Sequence, residues 1–65
     1  MTLQKIIKQA EVLDAAAFAK FLDSNKIAYT ILDCNIMDYN EDYFNITLDD
    51  YEDANILFSD GEYLN

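Results

Sequence analysis

Tyr43-Phe44-Asn45-Ile46-Thr47-Leu48-Asp49-Asp50-Tyr51-Glu52-Asp53-Ala54-Asn55-Ile56-Leu57-Phe58-Ser59-Asp60-Gly61 decides the fold, because its two halves carry different signals. Residues 43–48 alternate, with Phe44, Ile46 and Leu48 on one face, which is the pattern of a half-buried strand. Residues 49–61 read differently. Asp49 stands as a helix N-cap with Glu52 at the capping-box position, and Tyr51, Ala54, Leu57 and Phe58 make a short apolar stripe that Gly61 could terminate. This predicts a short acidic C-terminal helix. The rival is a terminal hairpin turning at Asp60-Gly61.

Upstream, Ile27-Ala28-Tyr29-Thr30-Ile31-Leu32 is rich in β-branched and aromatic residues and reads as a strand, joined to residues 43–48 through a polar turn around Asn40-Glu41-Asp42. Further back, Asp14 can cap the helix Ala15-Ala16-Ala17-Phe18-Ala19-Lys20-Phe21-Leu22, with Leu13 and Phe18 spaced as a hydrophobic staple. Asp23-Ser24-Asn25 ends that segment. Residues 3–10 are good helix formers behind a Thr2 cap, with Leu3, Ile6, Ile7 and Ala10 on one face, and a break is expected near Glu11 to Leu13. A first strand here is the alternative, which would give a βαββα order close to a truncated ferredoxin-like layout. The expected class is α+β: one or two N-terminal helices, a small antiparallel β-hairpin or sheet, and a short acidic C-terminal helix.

The chain has 65 residues, which fits one acidic domain over 1–65 with a small core. It is 52% hydrophobic and carries nine Phe and Tyr residues, too apolar for a disordered acidic tail. Cys34 is the single cysteine and there is no histidine, which excludes an internal disulfide framework and the usual zinc and iron–sulfur ligand sets. With no long apolar run for a signal peptide or membrane span, a cytoplasmic protein without membrane contact is expected.

Catalytic chemistry finds little to work with. Histidine and arginine are absent, leaving carboxylates, tyrosines and four lysines, so a non-enzyme without cofactor is expected. Paired acids could hydrolyse a glycoside only inside a cleft that so short a chain has little mass to build. Asp38-Tyr39-Asn40-Glu41-Asp42 places oxygens at the first, third and fifth positions of an EF-hand-like loop, with Asp49 at the twelfth. Tyr43 stands where that loop needs glycine, Asn45 replaces the apolar anchor and Asp49 is shorter than the bidentate Glu, so no metal site is assigned. Asn45-Ile46-Thr47 matches a glycosylation sequon but reads as strand.

Charge is the unusual quantity. Residues 1–32 hold Lys5, Lys8, Lys20 and Lys26 against Glu11, Asp14 and Asp23, a balance of +1. Residues 33–65 hold Asp33, Asp38, Glu41, Asp42, Asp49, Asp50, Glu52, Asp53, Asp60 and Glu62 with no base, a balance of −10, which accounts for the net −9. Most surface charges are simply solvated, and Asp14, Asp49, Asp50 and Glu52 have local roles at helix N-termini. Ten uncompensated acids exceed that, since their self-repulsion destabilises the compact state. A globule of this length spans roughly 25–30 Å, a length in which duplex DNA carries roughly sixteen phosphates. Tyr39, Tyr43, Tyr51 and Tyr63 each sit beside an acid, a mixture suited to an Arg-rich groove, and Tyr43 should point away from the face claimed by Phe44, Ile46 and Leu48.

In size, charge and lack of catalytic residues, the whole chain resembles the very small, strongly acidic inhibitors encoded by phages and mobile elements, including DNA-mimicking anti-CRISPR proteins. No individual site is carried over from that class. The resemblance implies a competitive mechanism, with Asp33, Asp38, Glu41, Asp42, Asp49, Asp50, Glu52 and Asp53 on the Lys/Arg track that receives DNA in a CRISPR effector or surveillance complex. Tyr43, Asp60 and Glu62 complete the expected partner-binding set. The expected partner is a basic DNA-binding protein surface rather than nucleic acid, and a monomer is favoured. The alternative is an adaptor or antitoxin-like interaction module, and a further one is a cation-binding protein. Mimicry requires the carboxylates to share a face.

Overall fold

The computed structural model describes residues 1–37 and 41–64. Helix α1 (Leu3–Val12) starts where Thr2 Oγ1 accepts the Lys5 N–H at 3.3 Å. Ile6 and Ala10 are buried and Leu3 and Ile7 are packed beside them, the face read from the sequence. The helix ends at Leu13, so residues 3–10 are not a strand and the βαββα order does not arise. Helix α2 (Ala15–Ser24) is capped by Asp14, whose Oδ1 accepts the Ala17 N–H at 2.8 Å. Ala15, Phe18, Ala19 and Leu22 form its buried stripe.

The end of α2 is stopped by backbone geometry. Lys26 N–H donates to Asp23 O at 3.2 Å and Ile27 N–H to Leu22 O at 3.0 Å, with Lys26 at φ 56°. This is the paired bonding of a Schellman cap, in which a left-handed residue lets the chain leave the helix while satisfying its last carbonyls. Lysine occupies the place usually taken by glycine.

Four strands follow, β1 (Tyr29–Cys34), β2 (Phe44–Leu48), β3 (Ala54–Ser59) and β4 (Glu62–Tyr63), all antiparallel in the order β1-β2-β3-β4. β1 starts two residues later than its composition suggests and runs on to Cys34, with a bulge between Ile31 and Asp33.

The expected C-terminal helix is absent: residues 54–59 are a strand, and the chain closes in the hairpin turning at Asp60-Gly61. Burial explains the outcome. Ile56 and Phe58 are fully buried while Asn55 is exposed, so the segment has a period of two, and its cross-strand pairs Ile56↔Ile46 and Phe58↔Phe44 join the core face of β2. A helix would have had to bury Leu57 with Phe58 and would have left β2 a free edge on that side. Local geometry agrees. Glu52 and Asp53 both have φ above 50°, which no right-handed helix allows, and Asp60 and Gly61 (φ 54° and 77°) have the two left-handed residues of a type I′ turn.

Both helices pack on one face of the sheet, where Phe18, Phe44 and Phe58 centre a core completed by Ile6, Leu22, Ile46, Leu48 and Ile56. Ring centroids lie 5.1 Å apart for Phe18 and Phe58 and 6.4 Å for Phe44 and Phe58. The opposite face, with Thr30, Asn45, Thr47, Asn55 and Leu57, carries no helix. Among the described residues no helix is long and apolar enough to cross a membrane.

Candidate functional site

The meander decides where the acids go, because each turn lies at one end of the sheet and the acids are concentrated in the turns. The β2–β3 turn puts Asp49, Asp50, Glu52 and Asp53, all exposed, at one end. At the other end stand Asp33 near the close of β1, Glu41 and Asp42 before β2, and Asp60 and Glu62 around the β3–β4 turn. The five residues of β2 separate the two ends by about 17 Å at ~3.4 Å per residue. The carboxylates therefore form two banks and not one continuous face. Asp38 and Tyr39, and with them the start of the calcium-loop pattern, lie outside the described residues.

The larger bank gains two acids from outside the base-free half of the chain. The link between α1 and α2 runs over the β3–β4 turn, so a side chain at Gly61 would meet Asp14 Cβ at 3.9 Å and Asp42 Oδ2 at 3.8 Å. The Gly61 N–H donates to Asp42 O at 2.9 Å and fixes this junction. Glu11 and Asp14 line a cleft of about 420 Å³ with Val12, Leu13, Gly61, Glu62 and Tyr63. Asp33, Asn35, Glu41, Tyr43, Ser59 and Asp60 line a second, of about 470 Å³. Seven carboxylates from four chain segments thus meet at one end, and no lysine lines either cleft. Nothing in the sequence signals that Glu11 and Asp14 join this bank; the association depends on how the helix pair lies along the sheet.

The smaller bank has different work for its residues than a helix cap would give. Asp49 caps no helix; its Oδ1 accepts the Thr30 hydroxyl at 2.8 Å and its N–H donates to Ala28 O at 3.2 Å, tying β2 to β1. Tyr51 is half-buried and its hydroxyl donates to the carbonyl of Met1.

The tyrosines divide in the same way. Tyr43 faces away from the core strand residues and lines the larger cleft, as its alternation with Phe44 requires, and its N–H donates to Asn35 Oδ1. The Tyr63 ring lies tilted at 5.8 Å from that of Phe58, and Tyr29 meets Phe44 edge-on at 5.9 Å, so both serve the core. Burial pushes both phenols above their usual range. The neighbouring Asp23, which accepts the Tyr29 hydroxyl at 3.2 Å, adds to the effect at Tyr29, and Glu11 adds to it at Tyr63.

Among the described residues no group of three or more acids or cysteines is arranged to hold a metal ion. No protein-family model, curated protein or solved structure matches the chain.

Proposed function

We propose that this protein is a DNA-mimicking inhibitor that docks its larger carboxylate bank on the Lys/Arg track of a DNA-binding protein and excludes DNA from it. The observation that carries the reading is the convergence of Glu11, Asp14, Asp33, Glu41, Asp60 and Glu62 around two clefts without lysine at one end of the sheet, with Asp42 beside Gly61 between them. The whole molecule is about 22 Å across its two shorter axes. Duplex DNA carries one charge per ~1.7 Å, so ~22 Å holds about thirteen phosphates, of which one side displays roughly half. Seven carboxylates around this end are of the same order in number.

The mechanism is competitive: carboxylates accept bidentate bonds from arginines that otherwise hold phosphates, and Tyr43 offers a ring for cation–π contact. An anti-CRISPR role, acting on a CRISPR effector complex in the cytoplasm of a host cell, is the specific form and rests on the resemblance in size and charge.

The test is charge reversal at exposed positions with ordinary backbone angles. Asp33→Lys, Glu41→Lys and Glu62→Lys together should abolish binding to a DNA-binding effector, while Asp50→Lys at the other end should weaken it less. DNA should compete for the same surface, and salt should release the complex steeply. Full binding by the triple variant with a native circular dichroism spectrum would sink the proposal.

A further inference from the structure

β1 is an edge strand, and its backbone tells which groups are free. Ala28 O accepts the Asp49 N–H at 3.2 Å, so residues 28 and 49 form a hydrogen-bonded pair. Pairs alternate along an antiparallel ladder. Tyr29↔Leu48 and Ile31↔Ile46 are therefore non-bonded pairs, and the N–H and C=O groups of Tyr29 and Ile31 point away from the sheet. The stretch is bounded: at Cys34 the outward N–H is taken by Asp33 Oδ1 at 2.8 Å, just beyond the bulge.

The side chains along this edge are unusually apolar for an exposed strand. Ile31 is 53% exposed, Leu32 57%, and Met37 in the turn that follows 89%. Acids flank them: Asp49 reaches β1 through its bond with Thr30, Asp23 holds the Tyr29 hydroxyl, and Asp33 stands past the bulge. An edge with free backbone groups and apolar side chains pairs with another strand unless something prevents it. Here the flanking charge selects against a second copy, which would bring a further net −9 and its own Asp33 to the contact.

The geometry points to β1 as a docking edge for an extended segment of a basic partner protein, added antiparallel or parallel beside Tyr29–Ile31, with an apolar side chain against Ile31 and Lys or Arg side chains reaching Asp33 and Asp49. This mode of recognition takes affinity from main-chain bonds and specificity from alternate side chains. It deepens the inhibitor reading, on which it rests for the basic character of the partner, and adds a contact that no duplex DNA could make.

A 65-residue chain can be made by chemical synthesis, which allows Ile31 to be N-methylated so that the outward donor is lost without breaking a bond to β2. The probe is a nine-residue peptide alternating lysine and valine, with a glutamate–valine peptide as its charge control. The expected result is that the lysine–valine peptide slows hydrogen exchange at the Tyr29 and Ile31 amides, that N-methylation weakens it at least tenfold, and that the control does not bind. Equal affinity for the N-methylated chain overturns the inference, as does equal binding of the control. Protection that appears in the chain alone as its concentration rises also overturns it, because a second copy then fills the edge. If the N-methylated chain does not fold, the exchange pattern of the unmodified chain decides. The two readings fail separately: peptide binding without protection of Tyr29 and Ile31 sinks strand pairing alone, and protection without salt-sensitive capture of a DNA-binding protein sinks mimicry alone.

Discussion

The ring of Phe18 on α2 lies 5.1 Å from that of Phe58 on β3, both fully buried, and this contact joins the helix layer to the sheet. Phe58 also touches the rings of Phe44 and Tyr63, so it is the hub of the aromatic core. Truncating a buried Phe to Ala removes its transfer energy and leaves a cavity, together about 3–5 kcal/mol. Small domains have total stabilities of about 5 kcal/mol. Phe58→Ala is expected to leave about 0–2 kcal/mol, a chain at best marginally folded at 25 °C, and Phe18→Ala to lower the urea midpoint severely; equilibrium denaturation followed by circular dichroism measures both.

Asp14 has two roles that substitution can separate. It caps α2 through Ala17, and it lies beside Asp42 across Gly61. Asp14→Ala should destabilise the fold by about 1 kcal/mol through loss of the cap. Asp14→Asn keeps a side-chain oxygen for Ala17 and removes a like charge from the crowded end, so its stability should equal or exceed that of the parent, most visibly at low salt. A loss as large as that of the alanine variant would show that the carboxylate charge, not its hydrogen bond, holds the helix end.

How much of this was legible in the sequence follows from the range of the interactions involved. The Thr2 and Asp14 caps, the stripe of α1 and the alternation of Phe44, Ile46 and Leu48 are set within a few residues, and each is found where local reading puts it. Residues 54–59 carry a misleading local pattern, because Ala54, Leu57 and Phe58 are spaced like a helix face, while the pairing of Ile56 with Ile46 and Phe58 with Phe44 decides in favour of a strand. Asp60-Gly61, noted as the rival turn, was the local signal that agreed with that pairing. The acids were legible as residues but not as a site: the meander sorts them between two ends, and the packing of the helix link brings in Glu11 and Asp14.

Gly61 is required by its backbone, not by crowding. Its φ is 77°, and the nearest atoms to an added Cβ lie at 3.8–3.9 Å, which is ordinary contact. Gly61→Ala should therefore cost about 1 kcal/mol or more through the left-handed conformation alone. Asp60→Asn, at φ 54°, should be close to neutral because Asn tolerates that region as well. Thermal denaturation of the two variants provides the comparison.

Alkaline pH should destabilise the fold through its core tyrosines. Burial and the nearby Asp23 raise Tyr29 above its ordinary 10.0, and burial with Glu11 raises Tyr63. A phenol whose folded pKa exceeds its unfolded value contributes stability that is complete below about pH 10 and is lost as pH rises through the folded value. Tyr29→Phe should reduce the loss of stability on the alkaline side, measured by denaturation across that pH range. An unchanged alkaline loss in Tyr29→Phe would contradict this.

Glu52 offers the sharpest separation of stability from binding. At φ 58° it occupies a backbone region in which a side chain is strained and glycine is not, and it belongs to the smaller acidic bank. Glu52→Gly relieves the strain but adds freedom to the unfolded chain, and the balance should stabilise the fold by up to about 1 kcal/mol. Glu52→Gln retains the strain and removes only the charge. Because the larger bank at the opposite end of the sheet is the docking surface, both variants should change binding little, while only the glycine variant gains stability. A comparable loss of binding in both would bring the smaller bank into the contact surface.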